Sequence, residues 1–280
     1  MSFDVTHPEI RQIVRTALAE DIGSGDVTSQ LCIDASRMAS GRFVAREGMT
    51  LAGVELLPLI YEERGGVEEL RLTSASGSRF SAGDEIAFVR GRARTLLECE
   101  RVALNFMQRL SGVATLAARY CAQTAGTRCR VLDTRKTTPG LRRLEKMAAA
   151  AGGVVNHRIG LFDAILIKNN HITAAGGVRQ ALERVRDAGV PVEIEVRTQQ
   201  EMEDALECGA KHLLLDNHTP ETAREAIRFI AGRAVVELSG RIGLESLAAY
   251  AATGADFVSC GAITHSAAAV DMNFRIELEA

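Results

Sequence analysis

The sequence of 280 residues lacks long apolar runs, and this excludes one large class of proteins. No stretch approaches the roughly 18 consecutive apolar residues that a membrane-spanning helix needs, so we expect no membrane span. The first residues, MSFDVTHPEI, also lack the basic and then apolar pattern of a signal peptide. We therefore expect a cytoplasmic protein.

The sequence also lacks an excess of charge of one sign. The formal net charge is −3 and the isoelectric point is near 6.1. A body that binds nucleic acid needs a basic face or stripe to neutralise phosphates, so this class is disfavoured. Any basic site must therefore be local.

The cysteines and histidines show none of the spacings that are typical of disulfide frameworks or zinc sites. No CxxC pair occurs, and the histidines form no HExxH arrangement. We expect reduced thiols that pack in the interior and no dedicated zinc site. The six cysteines are Cys32, Cys99, Cys121, Cys129, Cys208 and Cys260.

The first residues predict a helix followed by a loop. Thr6 and Glu9 have the spacing of a capping box, and apolar residues then recur at helical spacing from Ile10 to Leu18. The stretch EDIGSGDVTS, from Glu20, contains two glycines and several short polar residues, which favour turns. We predict a loop there.

The rest of the first half predicts an α+β module. Strand-like segments lie near residues 42–46, 70–74 and 85–90, with a helix over 54–63. Strands without regular helical crossovers are typical of this class. The segment 94–126 predicts two helices that are interrupted at Ser111 and Gly112.

After about Arg130 the pattern changes to short apolar runs that alternate with amphipathic helices. The runs begin about 20 to 35 residues apart, which is the size of a βα unit, and such runs are typical of buried parallel strands. We predict a parallel β/α barrel rather than an open doubly wound sheet, because the spacing is steady and no GxGxxG motif follows the first strand. The runs are RVLDT, AILIK, VEIEV, HLLLDN, VVELSG and FVSCG.

The change of pattern predicts two domains. We assign residues 1–112 to an amino-terminal domain and residues 113–271 to the barrel. The last segment, residues 272–280, alternates like a strand, and we expect it to return to the first domain.

Polar residues and glycines follow nearly every apolar run. In β/α barrels the active site lies at the carboxyl ends of the strands, so these residues are expected to converge on one mouth. A polar residue at a single strand end is explained equally well by contact with solvent, but six in register favour a site. They are Asp133, Thr134, Arg135 and Lys136; Lys168, Asn169, Asn170 and His171; Glu195; Asp216 and Asn217; Ser239 and Gly240; and Gly261.

Basic residues are concentrated between Asp133 and His171. This segment has seven Lys or Arg and three acids, a local excess of +4 in a protein of net −3. Fixed cations at a barrel mouth attract a polyanion. We expect Arg142, Arg143 and Lys146 to form the solvated face of a helix. The cations that we assign to anion binding are Arg135, Lys136, Arg158 and Lys168, with His157 beside them.

Two acids, Glu195 and Asp216, end successive predicted strands. Carboxylates among cations can hold Mg²⁺ on substrate phosphates, or stabilise positive charge that develops on a sugar. The alternative is that they only pair with neighbouring Lys and Arg side chains. The small-residue turns SGRIG at Ser239 and SCGA at Ser259 offer backbone N–H groups that could bind a phosphate.

Taken together, these segments resemble the quinolinate phosphoribosyltransferase family (decarboxylating nicotinate-nucleotide pyrophosphorylases) along nearly the whole chain. The specific motifs are DTRKTTPGLRRLEK at Asp133 and GGVVNHRIGLFDAILIKNNHI at Gly152. They are accompanied by VEIEV, LLLDN, ELSGRI and FVSCGAITHS, and in the first half by EDIGSGDVTS and ERVALNFMQRLSGVAT.

The resemblance implies an amino-terminal α/β sandwich and an incomplete, seven-stranded type of β/α barrel, assembled as a homodimer or a larger homo-oligomer. It implies transfer of phosphoribose from 5-phosphoribosyl 1-diphosphate (PRPP) to quinolinate with Mg²⁺, followed by loss of CO₂, in NAD biosynthesis. The implied quinolinate pocket contains Thr134, Arg135, His157, Arg158 and Lys168, with Arg101 from the neighbouring subunit. Lys136, Glu195 and Asp216 are implied for catalysis, the two acids also for the metal, and Lys136, Ser239, Gly240 and Gly261 for phosphate binding.

Two positions depart from the pattern of the resemblance. The family usually reads KDNH where this chain has Lys168, Asn169, Asn170 and His171, so a neutral amide replaces an acid. Arg241 stands where Gly or Asn is common.

Two other functions stay open: an aldolase-type barrel with a Schiff base on Lys168, and a homologue that binds a pyridine carboxylate without turnover.

Overall fold

A computed structural model describes residues 3–278 and consists of helices and short strands. The helices are α1 (Pro8–Ile22), α2 (Val27–Cys32), α3 (Leu56–Glu62), α4 (Ala93–Gln123), α5 (Arg142–Ala151), α6 (Asn169–Ala175), α7 (Val178–Val185), α8 (Gln199–Glu207), α9 (Pro220–Ile230), α10 (Leu247–Ala251) and α11 (Ala262–His265). The strands are β1 (Met38–Ala45), β2 (Met49–Thr50), β3 (Glu69–Leu72), β4 (Arg79–Phe80), β5 (Glu85–Arg92), β6 (Arg130–Leu132), β7 (Ile165–Ile167), β8 (Val192–Val196), β9 (His212–Asp216), β10 (Val235–Ser239), β11 (Phe257–Ser259) and β12 (Met272–Leu278). Within residues 3–278, no helix combines the length and apolar character needed to cross a membrane.

The chain divides into two compact units. The second unit contains Arg119–Lys136 and Val154–His265. The first contains the chain up to Ala118, Thr137–Gly153 and the chain from Ser266 onward. The predicted boundary at residue 112 therefore falls inside α4, and α5 belongs to the first unit although it follows β6 in sequence.

The second unit is built on a parallel sheet of six strands in the order β6-β11-β10-β9-β8-β7. All six correspond to the predicted apolar runs, and helices connect most successive strands. Strands β7 to β11 lie side by side in sequence order, and β11 then pairs with β6, so the sheet is interrupted between β6 and β7. The described strands therefore form an incomplete β/α barrel, as predicted. A single parallel bridge between Leu132 and Val155 extends the sheet beyond β6. Buried leucines and valines such as Leu213, Leu215 and Val258 form its core.

The first unit contains an antiparallel sheet in the order β12-β1-β5-β3. The predicted return of the last segment is confirmed, since β12 pairs with β1 from Ala39 opposite Leu278 to Ala45 opposite Met272. Residues 279–280, which were included in that prediction, lie outside the described part of the chain. Strands β2 and β4 form a separate pair.

The prediction of two helices between residues 94 and 126 was wrong, because α4 runs without interruption from Ala93 to Gln123. The Ser111 hydroxyl bonds with the backbone of Ala52, accepting from its N–H at 2.9 Å. A side chain at Gly112 would overlap the carbonyl oxygen of Ala268. Both residues serve close packing of α4 within the first unit, and sequence alone had suggested helix breakers.

The predicted start of α1 and the predicted loop after it also need correction. His7 is the residue that caps α1, with Pro8 in the first turn, whereas Thr6 donates to Asp4. The stretch predicted as a loop, residues 20–29, holds the end of α1 and the first residues of α2, which is capped by the Asp26 carboxylate accepting from the Ser29 N–H at 3.0 Å. A short polar residue that was read as a turn former is here a helix cap.

The pairing of β1 with β12 depends on a glycine. A Cβ at Gly41 would overlap the ring of Phe274, which packs on Phe43 with 4.7 Å between ring centroids. We expect Gly41→Ala to lower the free energy of unfolding by about 1–3 kcal/mol, because a methyl group forced into a packed layer displaces its neighbours. Urea unfolding followed by circular dichroism measures this loss. Gly48→Ala is the matched control, since its added Cβ meets no atom closer than 3.9 Å; equal losses in both variants would contradict the explanation.

Candidate active site

The carboxyl ends of the parallel strands surround a cavity of about 410 Å³ in the second unit. Nine of the residues predicted for the site line it together: Thr134, Arg135, Lys136, His157, Arg158, Lys168, Glu195, Asp216 and Ser239. Leu166, Leu214, Glu237 and Ser259 complete the lining. Residues from separate parts of the sequence therefore meet at one mouth, as their positions at strand ends predicted.

Three residues that the resemblance implies for binding, Gly240, Gly261 and Arg101, do not line this cavity. Gly261 lies beside a residue that does, since an added Cβ there would lie 2.9 Å from Cδ of Lys136, whereas one at Gly240 would lie 3.0 Å from Oδ1 of Asn217, which is outside the lining. Both glycines thus allow close approach of neighbouring groups. Arg101 is exposed on α4, in the first unit. Of the other strand-end residues predicted at the mouth, Asp133, Asn169, Asn170, His171 and Asn217 are also outside the lining.

The register of the sheet explains why the acids and serines share the cavity. Glu195 of β8 and Glu237 of β10 both pair with Leu214 of β9, and Ser239 pairs with Asp216. Because alternate residues of a strand point to the same face, Asp216 lies on the face of Leu214, two residues nearer the mouth. The interior is thereby arranged in layers that run across the strands.

Two arginines form the most enclosed part of the cationic wall. Arg135 and Arg158 are half-buried, and Nη1 of Arg158 donates to the carbonyl oxygen of Ala164 at 2.9 Å. Burial and then the nearby Arg135 charge lower the pKa of Arg158. Two cations held this close together favour an anion between or beside them. Lys136 and Lys168 are exposed at the same mouth, and the Thr264 hydroxyl fixes the Lys136 carbonyl at 2.8 Å.

The predicted acids are held by hydrogen bonds. Glu195 is 7% exposed, and its Oε1 accepts from the Asn169 amide and from Arg197 Nη2, the latter at 3.2 Å. Asp216 is half-buried and accepts from the Asn217 amide at 2.6 Å. The replacement of the usual acid by Asn169 thus supplies a donor to Glu195, where a carboxylate would repel it. The other departure, Arg241, is exposed and does not line the cavity.

Sequence reasoning found His157 but missed the buried acids around it, which form a cluster with it at the floor of the cavity. Glu193 is 5% exposed and Glu237 is 1% exposed, and His157 Nε2 lies 3.0 Å from Glu193 Oε2 and 3.7 Å from Glu237 Oε2. His212 Nε2 lies 3.4 Å from Glu193 Oε1. The signal was present in the alternation of VEIEV, which places Glu193 on the same face as Glu195, and of VVELS, which places Glu237 on the face of Ser239.

Burial dominates the acid-base properties of this cluster. It raises the pKa of Glu193 to about 7. It raises the pKa of Glu237 to about 8, with a further increase from the Glu193 charge. Burial also lowers the pKa of His212. A carboxyl group that keeps its proton near neutral pH can act as an acid.

Asp133 holds the segment that carries the histidine and the second arginine. Asp133 is fully buried at the end of β6 and accepts from the His157 N–H at 2.8 Å and from the Asn156 amide at 2.6 Å. The Arg158 N–H then donates to His157 Nδ1 at 2.7 Å. The acid predicted only as a strand-end residue is thus the support of the pocket wall.

The comparisons with known proteins agree with this geometry. The family models for the amino-terminal and carboxy-terminal domains of quinolinate phosphoribosyl transferase match residues 26–111 and 113–275. The carboxylating nicotinate-nucleotide pyrophosphorylase of Mycobacterium leprae is 38% identical over 280 residues, covering 97% of this chain and 99% of the relative. The probable enzyme of the same name from Bacillus subtilis is 36% identical, covering 98% and 96%.

Solved structures agree as well. The nicotinate-nucleotide pyrophosphorylase of Francisella tularensis superimposes with a TM-score of 0.94 at 36% identity, covering 98% of each chain. The NadC structure from Streptococcus pyogenes gives the same TM-score and identity over 100% of each chain. On these matches, which span both halves of the sequence, the chain belongs to the quinolinate phosphoribosyltransferase family.

Proposed function

We propose that this protein transfers the phosphoribosyl group of PRPP to quinolinate and removes one carboxyl group, giving nicotinate mononucleotide, pyrophosphate and CO₂ for NAD biosynthesis. The observation that carries the proposal is the convergence of four cations with Glu195 and Asp216 around one cavity. A dicarboxylate and a sugar diphosphate together need this combination of charges. The family membership of the chain supports the same reaction.

The half-buried wall is suited to quinolinate. Arginine's planar fork binds a carboxylate through two parallel hydrogen bonds, and Arg135 and Arg158 line the same cavity. Lys168 adds a point charge, and Thr134 a hydroxyl. Each charge-assisted hydrogen bond contributes about 1.5–3 kcal/mol, so three cations can fix the ring with its nitrogen toward the sugar. Arg101 of a neighbouring subunit is proposed to complete this wall in a homodimer or larger assembly.

The acidic side of the cavity is suited to PRPP. The neutral ring nitrogen of quinolinate is already a nucleophile, so the transfer depends on stabilising positive charge on the ribose as pyrophosphate leaves. A carboxylate about 4 Å from that charge, at an effective dielectric near 20, contributes on the order of 4 kcal/mol. Glu195 and Asp216, which line the cavity, are proposed to fill this role. Lys136 is proposed to bind the pyrophosphate, and the turns at Ser239, Gly240 and Gly261 the 5-phosphate.

The same two carboxylates fit Mg²⁺. This cation prefers oxygen ligands and usually needs only one or two protein carboxylates besides water and substrate phosphates. Glu195 and Asp216 supply oxygen ligands in successive layers of the same cavity. Bound there, Mg²⁺ would neutralise charge on the diphosphate. We also propose a cytoplasmic location, because the cysteines show no spacing typical of a disulfide framework. Several plant relatives, by contrast, are named chloroplastic or mitochondrial.

The proposal is tested by incubating the protein with quinolinate, PRPP and Mg²⁺. We expect nicotinate mononucleotide, pyrophosphate and CO₂ in equal amounts, detected by chromatography and by CO₂ release from labelled quinolinate. Omission of PRPP must abolish both products. Binding of quinolinate by calorimetry without any turnover would instead identify a non-catalytic homologue and would overturn the proposed activity.

The Asn169 amide is expected to position Glu195 for the ribose. Asn169→Ala removes a hydrogen bond to a carboxylate, and this costs about 1.5 kcal/mol, so kcat/KM for PRPP falls about tenfold. The affinity for quinolinate, measured by calorimetry, stays within about twofold. Asn170→Ala is the control, because Asn170 is exposed and adjacent. A tenfold loss in both variants would argue for a general disturbance of α6.

A further inference from the structure

The proposed binding of quinolinate and PRPP does not explain why a carboxyl group, that of Glu237, is buried at the floor of the cavity. It lines the cavity but is 1% exposed, so it belongs to the floor below the mouth. Its Oε1 accepts from the Ser259 hydroxyl. Its Oε2 accepts no hydrogen bond from an N–H or hydroxyl group among the described residues, and a hydrogen bond between the carboxyl groups of Glu237 and Glu193 favours the protonated form of Glu237. An ionised oxygen in that position would be very costly, so the geometry favours the neutral acid.

The groups that face Glu237 come from every neighbouring element of the floor and act in both directions. Burial has the largest effect and favours the neutral acid, as does Glu193, whereas His157 and the Ser259 hydroxyl favour the ionised form. None of them is a fixed cation in direct contact. Glu193 adds negative charge, burial holds His212 toward its neutral form, and burial raises the pKa of the Cys260 thiol to about 12. The groups that face Glu237 are Glu193 of β8, His212 of β9, Ser259 of β11, Cys260, which follows Ser259, and His157, which lies beyond the Leu132–Val155 bridge.

His157 is the other acid-base group at the floor, but its geometry directs its proton away from the cavity. The Arg158 N–H donates to Nδ1, so the proton of the neutral ring resides on Nε2. Nε2 faces the carboxyl groups of Glu193 and Glu237 at 3.0 and 3.7 Å. The same tautomer argues against a metal ion at this cluster, because a nitrogen that carries a proton is no ligand.

We propose that Glu237 is the acid that protonates the pyridine ring after CO₂ leaves. The inference rests on the proposed function. When the C–C bond to the departing carboxylate breaks, its electron pair remains on the ring carbon. That pair forms the new C–H bond with the Glu237 proton, and Glu237 becomes a carboxylate that regains a proton from water before the next turnover. Without this proton, CO₂ held in the cavity recombines with the carbanion.

The experiment separates the two chemical steps in Glu237→Gln. The amide keeps the shape and hydrogen-bonding capacity of the neutral acid but supplies no proton. In a single turnover with labelled quinolinate and PRPP, we expect pyrophosphate release within about threefold of wild type. CO₂ release is expected to fall at least 100-fold, on the order of what general acid catalysis contributes, and the dicarboxylated nucleotide to accumulate.

The pH profile gives an independent readout. An acid must be protonated to act, so CO₂ release by the wild type is expected to fall as the pH rises above about 8, the pKa to which burial raises Glu237. Ser259→Ala removes a donor that stabilises the ionised form and is expected to shift this decline to higher pH. This second variant tests the inference even where Glu237→Gln fails to fold.

The outcomes distinguish the inference from the proposed function. A wild-type protein that makes no nicotinate mononucleotide contradicts the proposed function. An active wild type combined with normal CO₂ release by Glu237→Gln overturns only the role of Glu237, as does an equal loss in both steps. If Glu237→Gln is unfolded, a decline in Ser259→Ala that remains at the wild-type pH overturns it.

Discussion

Arg135→Ala is expected to lower kcat/KM for quinolinate at least about 100-fold while the protein stays folded. The side chain lies half-buried in the cavity wall beside Arg158, where its two parallel hydrogen bonds to a carboxylate would be lost together. At 1.5 kcal/mol or more for each, the loss is at least about 3 kcal/mol. Steady-state kinetics and calorimetry with quinolinate measure it, and circular dichroism verifies the fold.

Three further variants interpret that result. Arg135→Lys keeps the charge without the planar fork and is expected to recover only part of the activity. Lys168→Ala removes a second cation of the same wall and is expected to have an effect of similar size. Arg130→Ala, an exposed cation at the opposite end of β6, is expected to stay within about twofold of wild type. Normal turnover in Arg135→Ala or Lys168→Ala would contradict the proposed quinolinate pocket.

The sheet of the second unit could be predicted because its physics is local. Strands that are buried on both sides need continuous apolar runs such as HLLLD, and helices of regular length separate them. The position of the site followed from the same pattern, since residues at the carboxyl ends of parallel strands must meet. The two acids and three of the four cations were found in this way, whereas Arg158 was found from the concentration of basic residues between Asp133 and His171.

Other features depend on packing that a single sequence does not record. Ser111 and Gly112 are poor helix formers, yet α4 continues through them because the first unit needs a hydroxyl and a bare backbone there. Lys146 was expected on a solvated face but is fully buried in α5, beside the buried Glu145. Glu237 was missed because it lies inside an apolar run, and only the residues that follow such runs were assigned to the site. An acid in such a place has a cost in stability, and this is the reason to look for its function.

The second large effect is expected at Glu145, which is fully buried on α5 within the first unit. Its Oε1 lies 2.7 Å from Arg109 Nη2, and its carboxylate accepts from the Thr138 hydroxyl at 2.7 Å and the Thr138 N–H at 3.0 Å. Removing the buried carboxylate leaves the charge of Arg109, whose side chain is 25% exposed, without its partner. We expect Glu145→Gln to lower the free energy of unfolding by about 3 kcal/mol, measured by urea denaturation.

A double variant separates the two roles of Glu145. The double variant Arg109→Met with Glu145→Gln removes the cation as well, so the part of the stability loss that is due to uncompensated charge is expected to disappear. The coupling energy between the two substitutions measures that part. The loss of stability that remains in the double variant measures the hydrogen bonds between residue 145 and Thr138. Thr138 is the last residue of the DTRKTT segment and lies two residues after Lys136. The exposed pair of Glu68 and Arg90 is the control, where Glu68→Gln is expected to change stability by less than about 0.5 kcal/mol. A similar small change in Glu145→Gln would show that burial of this ion pair does not determine the stability of the first unit.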